Sequence, residues 1–259
     1  MSNNYQHITF QIDDRVARIT FARPPVNIFN IAMMREINSA LGLCSHERDL
    51  VAVVFAAASD CRAFSAGVAV EEHVEETIFQ MLDSFHAIFR NLELMARPSI
   101  AMVDGAALGG GCELVAACDL AIASERARFG QPEIKLGVFP PVAAVLLPHV
   151  IGDKRARELI LTGELIEAAE AARLGLVNYV VPSNELEQKT SELLARLRNL
   201  SAPALELTKR AIDLGRGRSL DAALKEVENL YLDELMKTYD ATEGINAFIE
   251  KRKPEWKNR

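Results

Sequence analysis

The sequence lacks the features typical of membrane-spanning, nucleic-acid-binding and metal-binding proteins. No apolar run approaches the ~18 residues that a membrane-spanning helix requires. The formal net charge of −7 disfavours nucleic-acid binding through a basic surface. The five histidines include no pair at metal-ligand spacing. We therefore expect no metal, no membrane partner and no nucleic-acid partner.

Cysteine is scarce as well, with four in 259 residues and none in a CxxC pair. This usage predicts buried free thiols in a reducing compartment. The opening MSNNYQHITF has neither the basic nor the apolar region of a signal peptide, so we expect a cytoplasmic protein. Hydrophobic residues make up 49% and charged residues 25%, which is typical of a globular protein with a sizeable core.

The patterns that are present predict an α/β protein. Alternation over residues 7–23 indicates a β-hairpin, and Asn27 and Asn30 are both candidate caps for a helix near 31–45. Strand, long helix and strand then alternate, which implies largely parallel pairing. The predicted buried strands are 51–58, 99–105 and 119–124, and the long helix is 72–95.

The last part of the chain has only helical spacing of apolar residues, from residue 184 onward. Residues 174–182 are the last strand candidate, and 129–141 is too rich in glycine and proline for one regular element. We divide the chain into a core, residues 1–195, and a helical C-terminal module, residues 196–259. The apolar faces of that module suit contacts between subunits.

The segment Gly105–Asp119 carries the strongest functional signal. Three consecutive glycines, 109–111, precede an apolar stretch that contains Glu113. Glycines before a helix let a ligand approach the free N–H groups of the first helical turn. A carboxylate in apolar surroundings is costly unless it has a partner or a function. The alternative is an ordinary glycine-rich turn followed by a glutamate whose carboxylate reaches solvent.

A second glycine turn, residues 64–70, also follows a predicted buried strand. Neither turn is a P-loop or a dinucleotide-binding motif, but two facing backbone N–H groups would form an oxyanion hole. Glu133 lies twenty residues after Glu113, and two carboxylates at one site suit general acid–base catalysis. The alternative is a chance pair among 36 acidic residues.

Three blocks, FSAGVAV, GAALGGGCELVAACDLAIAS and FGQPEIKLGVF, resemble the signature blocks of the crotonase, or enoyl-CoA hydratase, superfamily. The resemblance extends from PPVN at 24–27 to AFIEKRKPEW at 247–256. It implies a crotonase-like spiral of ββα units with a helical C-terminal trimerisation region. It also implies an acyl-CoA thioester substrate, a homotrimer or dimer of trimers, and no cofactor apart from the coenzyme A of the substrate.

The resemblance also implies roles for individual residues. The N–H groups of Val68 and Gly110 would form the oxyanion hole, and Glu113 and Glu133 match the two catalytic glutamates of the hydratases. Phe248 and Lys251 match positions that contact the coenzyme A of a neighbouring subunit. The other expected substrate or coenzyme A contacts are Ala66, Gly67, Ala69, Gly109 and Pro141.

Two positions depart from the common hydratase pattern. Ala69 stands where an aspartate is usual, which makes the expected pocket wall more apolar. Pro141 stands where a glycine N–H commonly helps to hold the catalytic water, and proline has no N–H. The usual arrangement for holding water therefore cannot be intact.

These departures are similar to those of one branch of the superfamily, the cyclohexa-1,5-diene-1-carbonyl-CoA hydratases of anaerobic aromatic degradation. The matching blocks are Phe64–His73, Leu136–Pro148 and Leu230–Gly244. We expect a hydro-lyase that forms 6-hydroxycyclohex-1-ene-1-carbonyl-CoA, with Glu113 as base and Glu133 as acid. The alternatives are hydration of straight-chain 2-enoyl-CoA and an inactive family member that only binds a partner.

Overall fold

Two sheets and the helices around them build the fold in the computed structural model, which describes residues 5–259. The strands are β1 (Ile8–Asp13), β2 (Val16–Phe21), β3 (Ala52–Ala57), β4 (Ala63–Ser65), β5 (Ser99–Val103), β6 (Ala106–Leu108), β7 (Leu120–Ser124), β8 (Arg128–Gly130), β9 (Leu165–Glu167) and β10 (Tyr179–Val181). The helices are α1 (Ile31–His46), α2 (Ile78–Met95), α3 (Gly110–Ala117), α4 (Pro141–Ile151), α5 (Asp153–Thr162), α6 (Ala168–Leu174), α7 (Leu186–Arg198), α8 (Ala202–Leu214), α9 (Leu220–Asp233) and α10 (Tyr239–Ile249).

The larger sheet has the order β1-β2-β3-β5-β7-β10. β1 and β2 form the predicted antiparallel hairpin, and every other pair in this sheet is parallel. Helices cover both faces of the parallel part, which explains why β3 is an almost continuous run of buried apolar residues. The predicted α/β class with largely parallel pairing is confirmed.

The smaller sheet has the order β4-β6-β8-β9 and was not predicted. Its strands have three residues each, too few for alternation to be recognised. They nevertheless place the site, because β4 leads into the glycine turn at residues 64–70 and β6 leads into the glycines at 109–111. β8 leads into the 3₁₀ turn Pro132–Leu136, which carries Glu133.

Side-chain and backbone contacts at the N-termini determine where α1 and α2 begin. Asn30 caps α1, since its side chain accepts a hydrogen bond from Met33 N at 3.0 Å. Asn27 is not a cap: it is buried, and its amide binds the backbone of Arg23 and Ala63. The long helix α2 begins later than predicted, because Val70–Glu72 forms a separate 3₁₀ turn.

The C-terminal helices begin without a break from the core. Residue 195 lies within α7, and Leu194 of that helix packs in one buried cluster with Val54 and Ile100 of the large sheet. The division between residues 1–195 and 196–259 stays a prediction. Cys44 and Cys112 are buried free thiols as expected, whereas Cys61 and Cys118 are partly exposed. No helix in residues 5–259 is both long and apolar enough to span a bilayer.

Candidate active site

Gly109 joins β6 to α3 and lies against the Glu133 carboxylate. Its φ of 49° is in the left-handed region, where a residue with a side chain is disfavoured. A Cβ built on Gly109 would collide with Oε1 of Glu133. Glycine is therefore required at position 109 for two reasons: the backbone of the turn has a positive φ, and the carboxylate of Glu133 leaves no room for a side chain.

The turn that follows β4 packs against the same segment. Gly67 has a φ of 102°, and a Cβ placed on it would lie 3.1 Å from Leu108 O and 3.5 Å from Gly110 N. The Val68 side chain in turn covers Gly110. The structure thus brings together the two glycine turns on which the expected oxyanion hole depends.

The amides of Val68 and Gly110 are both available to a ligand. Neither N–H donates a hydrogen bond to another residue of the described chain. Gly110 is the first residue of α3, where helical N–H groups have no partner within the helix. Two free donors on touching segments suit a developing negative charge on a carbonyl oxygen.

Glu113 lies in the first turn of α3 and is only 2% exposed. Its Oε1 accepts a hydrogen bond from Ala143 N, in the first turn of α4, at 2.7 Å. Burial raises the pKa of Glu113 to about 8, although the Ala143 N–H opposes the shift and the charge of Glu133 adds to it. Glu113 can therefore exchange a proton near neutral pH.

Glu133 is partly buried in the 3₁₀ turn Pro132–Leu136. Its Oε2 is buried and accepts no hydrogen bond from residues 5–259. Desolvation raises the pKa of this carboxyl as well. Both glutamates flank Gly109, whose carbonyl accepts the Glu113 N–H at 2.9 Å. Because Glu113 and Glu133 interact, their protons dissociate in two steps that belong to the pair and not to either residue.

The two departures from the common hydratase pattern lie at this site. Pro141 is the first residue of α4, a position that suits proline because it needs no N–H there. Ala69 is buried at the end of the turn that carries Val68. Ala66, in the same turn, is exposed.

The expected coenzyme A contacts at the C-terminus lie apart from the glycine turns. Phe248, at the end of α10, is 86% exposed. Lys251 is also exposed and has a φ of 56°. α10 packs against α8 and the 3₁₀ turn Leu235–Lys237. A role for these two residues at a neighbouring subunit stays a prediction.

Three residues of the site were missed from the sequence. Ala143 is one, because its backbone rather than its side chain contacts Glu113. Gln131 is fully buried, and its amide has no hydrogen-bond partner in residues 5–259. Phe85 of α2 lies directly beneath Gly110. Prolines at the start of α4 are typical of a helix N-terminus, but no sequence pattern indicates that this end contacts Glu113.

Comparisons with known proteins show which family the chain resembles over its length. A sequence model of the enoyl-CoA hydratase/isomerase family matches residues 11–259. The cyclohexa-1,5-dienecarbonyl-CoA hydratase of Thauera aromatica is 39% identical over 95% of both chains. The short-chain-enoyl-CoA hydratase of Clostridium acetobutylicum is 36% identical over 98% of both.

A solved structure confirms the expected fold. The crystal structure of an enoyl-CoA hydratase from Bacillus anthracis superimposes with a TM-score of 0.92 at 33% identity. The match covers 98% of this chain and 100% of the other. The chain therefore has the same arrangement of strands and helices as that enoyl-CoA hydratase.

Proposed function

The chain belongs to the enoyl-CoA hydratase/isomerase family and is a hydratase, and we propose that it adds water to a cyclic conjugated dienoyl-CoA. The observation that carries the choice of substrate is the buried Ala69 beside Val68. An apolar wall favours a carbocyclic ring, since an aspartate there would lose its hydration without a partner. The likeness to the hydratase of Thauera aromatica supports the same substrate.

In the proposed reaction the thioester oxygen accepts hydrogen bonds from the N–H groups of Val68 and Gly110. Glu113, as the base, takes a proton from water while the oxygen of that water bonds to the β-carbon. The electron pair moves into a dienolate stabilised by the two amides. Glu133, as the acid, donates a proton to the far end of the diene. Water is thus added 1,4, and coenzyme A enters as part of the substrate with no further cofactor.

The assignment of Glu113 as base rests on the Ala143 N–H, which stabilises its ionised form. Burial acts in the opposite direction and favours the protonated form. In the reactive state the two carboxyls therefore carry one proton between them. Glu133 holds that proton while the ionised Glu113 activates water. The pH dependence of kcat/KM tests which carboxyl is the base.

Hydration of straight-chain 2-enoyl-CoA is the second candidate. Relatives of nearly equal identity are named simply as enoyl-CoA hydratases, among them the probable enoyl-CoA hydratase echA8 of Mycobacterium tuberculosis, at 38% over 98% of this chain. The test is kcat/KM for cyclohexa-1,5-diene-1-carbonyl-CoA and crotonyl-CoA, measured side by side. We expect the cyclic substrate to be preferred. A preference for crotonyl-CoA would establish the second candidate.

We also propose that the chain assembles as a trimer or a dimer of trimers through its C-terminal helices. These helices leave large apolar side chains exposed, namely Ile212, Leu220, Leu232, Phe248 and Ile249. Apolar surface of this extent is usually covered in an assembly. Sedimentation velocity of the full chain and of a truncation after Leu200 tests this. A monomeric full chain would contradict it.

A further inference from the structure

The turn that presents the Val68 amide is held by a clamp, by which we mean the hydrogen bonds that join residues 67–72 to residues 29–31. Neither of the two proposed catalytic glutamates takes part in it. The main chain of Phe29 pairs with it on both sides of Val68. Phe29 N donates to Gly67 O at 2.8 Å, and Ala69 N donates to Phe29 O at 2.9 Å. Phe29 itself is fully buried and packs edge-on against Phe21, with ring centroids 5.0 Å apart. The turn is thus fixed to a rigid part of the core.

This pairing sets the direction of the Val68 N–H. The carbonyl of Gly67 and the N–H of Val68 belong to one planar trans peptide and point in opposite directions. When Phe29 N holds the carbonyl on one side, the N–H must point away from Phe29. The hydrogen bond at Phe29 therefore orients the proposed oxyanion donor without contacting the substrate.

The other end of the clamp is Glu72. Its carboxylate accepts the N–H of Ile31, the first residue of α1, with distances of 2.9 Å to Oε2 and 3.1 Å to Oε1. Ile31 lies two residues after Phe29, and Glu72 lies four residues after Val68. The two segments are thus joined at both ends, by backbone pairing at Phe29 and by the Glu72 carboxylate at Ile31.

The short 3₁₀ turn Val70–Glu72 links the backbone of Ala69 to Glu72. Glu72 N and His73 Nδ1 both bind the carbonyl of Ala69, at 3.2 and 2.9 Å. The hydroxyl of Thr77 donates to Glu72 O at 2.9 Å. The first turn of α1 contains no acidic residue of its own. Glu72 is the carboxylate that occupies this positive helix end.

We propose that Glu72 is a positioning residue for the oxyanion hole, acting through α1 and Phe29 on the Val68 amide. This inference rests on the proposed function, which places the thioester oxygen at Val68 and Gly110. Loss of the carboxylate frees one end of the clamp, so the Val68 N–H moves relative to the thioester. Donors of this kind stabilise the transition state more than the bound substrate.

The first test is Glu72→Ala, assayed on the better of the two substrates. We expect kcat to fall about tenfold or more, because small displacements of an aligned donor are costly, while KM changes little. Glu72→Gln keeps an oxygen that can accept the Ile31 N–H and should retain most of the activity. Glu71→Ala is the matched control, since Glu71 is an exposed neighbour and the carboxylate that accepts the Ile31 N–H is that of Glu72. Assays run well below the melting temperature of each variant.

The second test reads the oxyanion hole directly. Butyryl-CoA labelled with ¹³C at its thioester carbonyl cannot be hydrated, and difference infrared spectroscopy gives its carbonyl frequency when bound. We expect wild type to lower that frequency, Glu71→Ala to match wild type, and Glu72→Ala to lose part of the shift. Equal kcat and equal frequency in Glu72→Ala and Glu71→Ala would overturn the positioning role. No shift in wild type would instead overturn the oxyanion hole of the proposed function.

Discussion

Glu113 in the core and Glu243 in the C-terminal helices are both buried carboxylates, yet their surroundings act in opposite directions. Glu243, 8% exposed, accepts two hydrogen bonds from Arg252, at 2.6 and 2.9 Å, and one from Glu255 N. The Arg252 guanidinium and the Glu255 N–H lower the pKa of Glu243 to about 2. Glu113 has no cation beside it in the described chain, and burial raises its pKa to about 8.

The difference shows how a fold separates structural from chemical carboxylates. Glu243 stays ionised at every physiological pH and fastens the C-terminal segment, together with Asp240, whose carboxylate accepts the N–H groups of Lys257 and Asn258. Glu113 accepts a hydrogen bond from Ala143 N and interacts with the charge of a second carboxyl, Glu133. It can lose and regain a proton near neutral pH, which a general acid–base catalyst requires.

The largest expected effect comes from neutralising the site. Glu113→Gln and Glu133→Gln should each lower kcat by at least about a hundredfold, the lower range for general acid–base groups. Coenzyme A ester binding should be nearly kept, because the amides of Val68 and Gly110 remain. Steady-state kinetics and binding of butyryl-CoA measure the two effects.

Glu243→Gln is the control for this comparison. It should lower the melting temperature, since Arg252 loses one of its two carboxylate partners and keeps only Glu250, while kcat stays within a few-fold of wild type. Near-full turnover in Glu113→Gln or Glu133→Gln on every active substrate would refute the two-carboxylate mechanism.

The pH dependence should distinguish the two carboxylates next. As a base, Glu113 must be ionised, and its raised pKa leaves most of it protonated at pH 7. We expect kcat/KM to rise about tenfold per pH unit below the pKa of about 8 and to level off above it. Glu243 contributes nothing in this range, because its pKa lies far below it. A fall of kcat/KM through the same range would assign the acid role to Glu113.

A smaller effect is expected at Lys251, beyond the end of α10. If Phe248 and Lys251 bind the coenzyme A of a neighbouring subunit, Lys251→Ala should raise KM about tenfold with kcat kept. Loss of one charge-assisted hydrogen bond to a phosphate has about this magnitude. Lys253→Ala, a nearby exposed lysine, is the control. Equal KM values in the two variants would remove Lys251 from the binding site.

The smallest effect concerns Pro141. Pro141→Gly restores an N–H at the start of α4, where common hydratases hold water. A hydrogen bond of roughly 0.5–1.5 kcal/mol should shift the ratio of activities toward crotonyl-CoA by about two- to tenfold. Ala69→Asp is the companion variant, and it should penalise the cyclic substrate selectively. An unchanged ratio for Pro141→Gly would show that the proline only stiffens the loop.

Much of the architecture was predictable because long elements repeat their pattern many times. The hairpin, α1 and the buried strands β3, β5 and β7 lie within a few residues of the predicted bounds. The short strands β4, β6, β8 and β9 carry too few residues for a period. They exist because neighbouring segments complete their hydrogen bonds.

The sequence by itself determined the family, through glycines and glutamates in a recognisable order, and the residue types that the chemistry needs. It also determined that Gly109 precedes a helix containing Glu113. Only the tertiary structure decided the surroundings of each carboxyl. Ala143 reaches Glu113 across thirty residues of sequence, and Arg252 rather than a nearer cation pairs with Glu243. A pKa depends on desolvation and on neighbouring charges in space, and neither is set by local sequence.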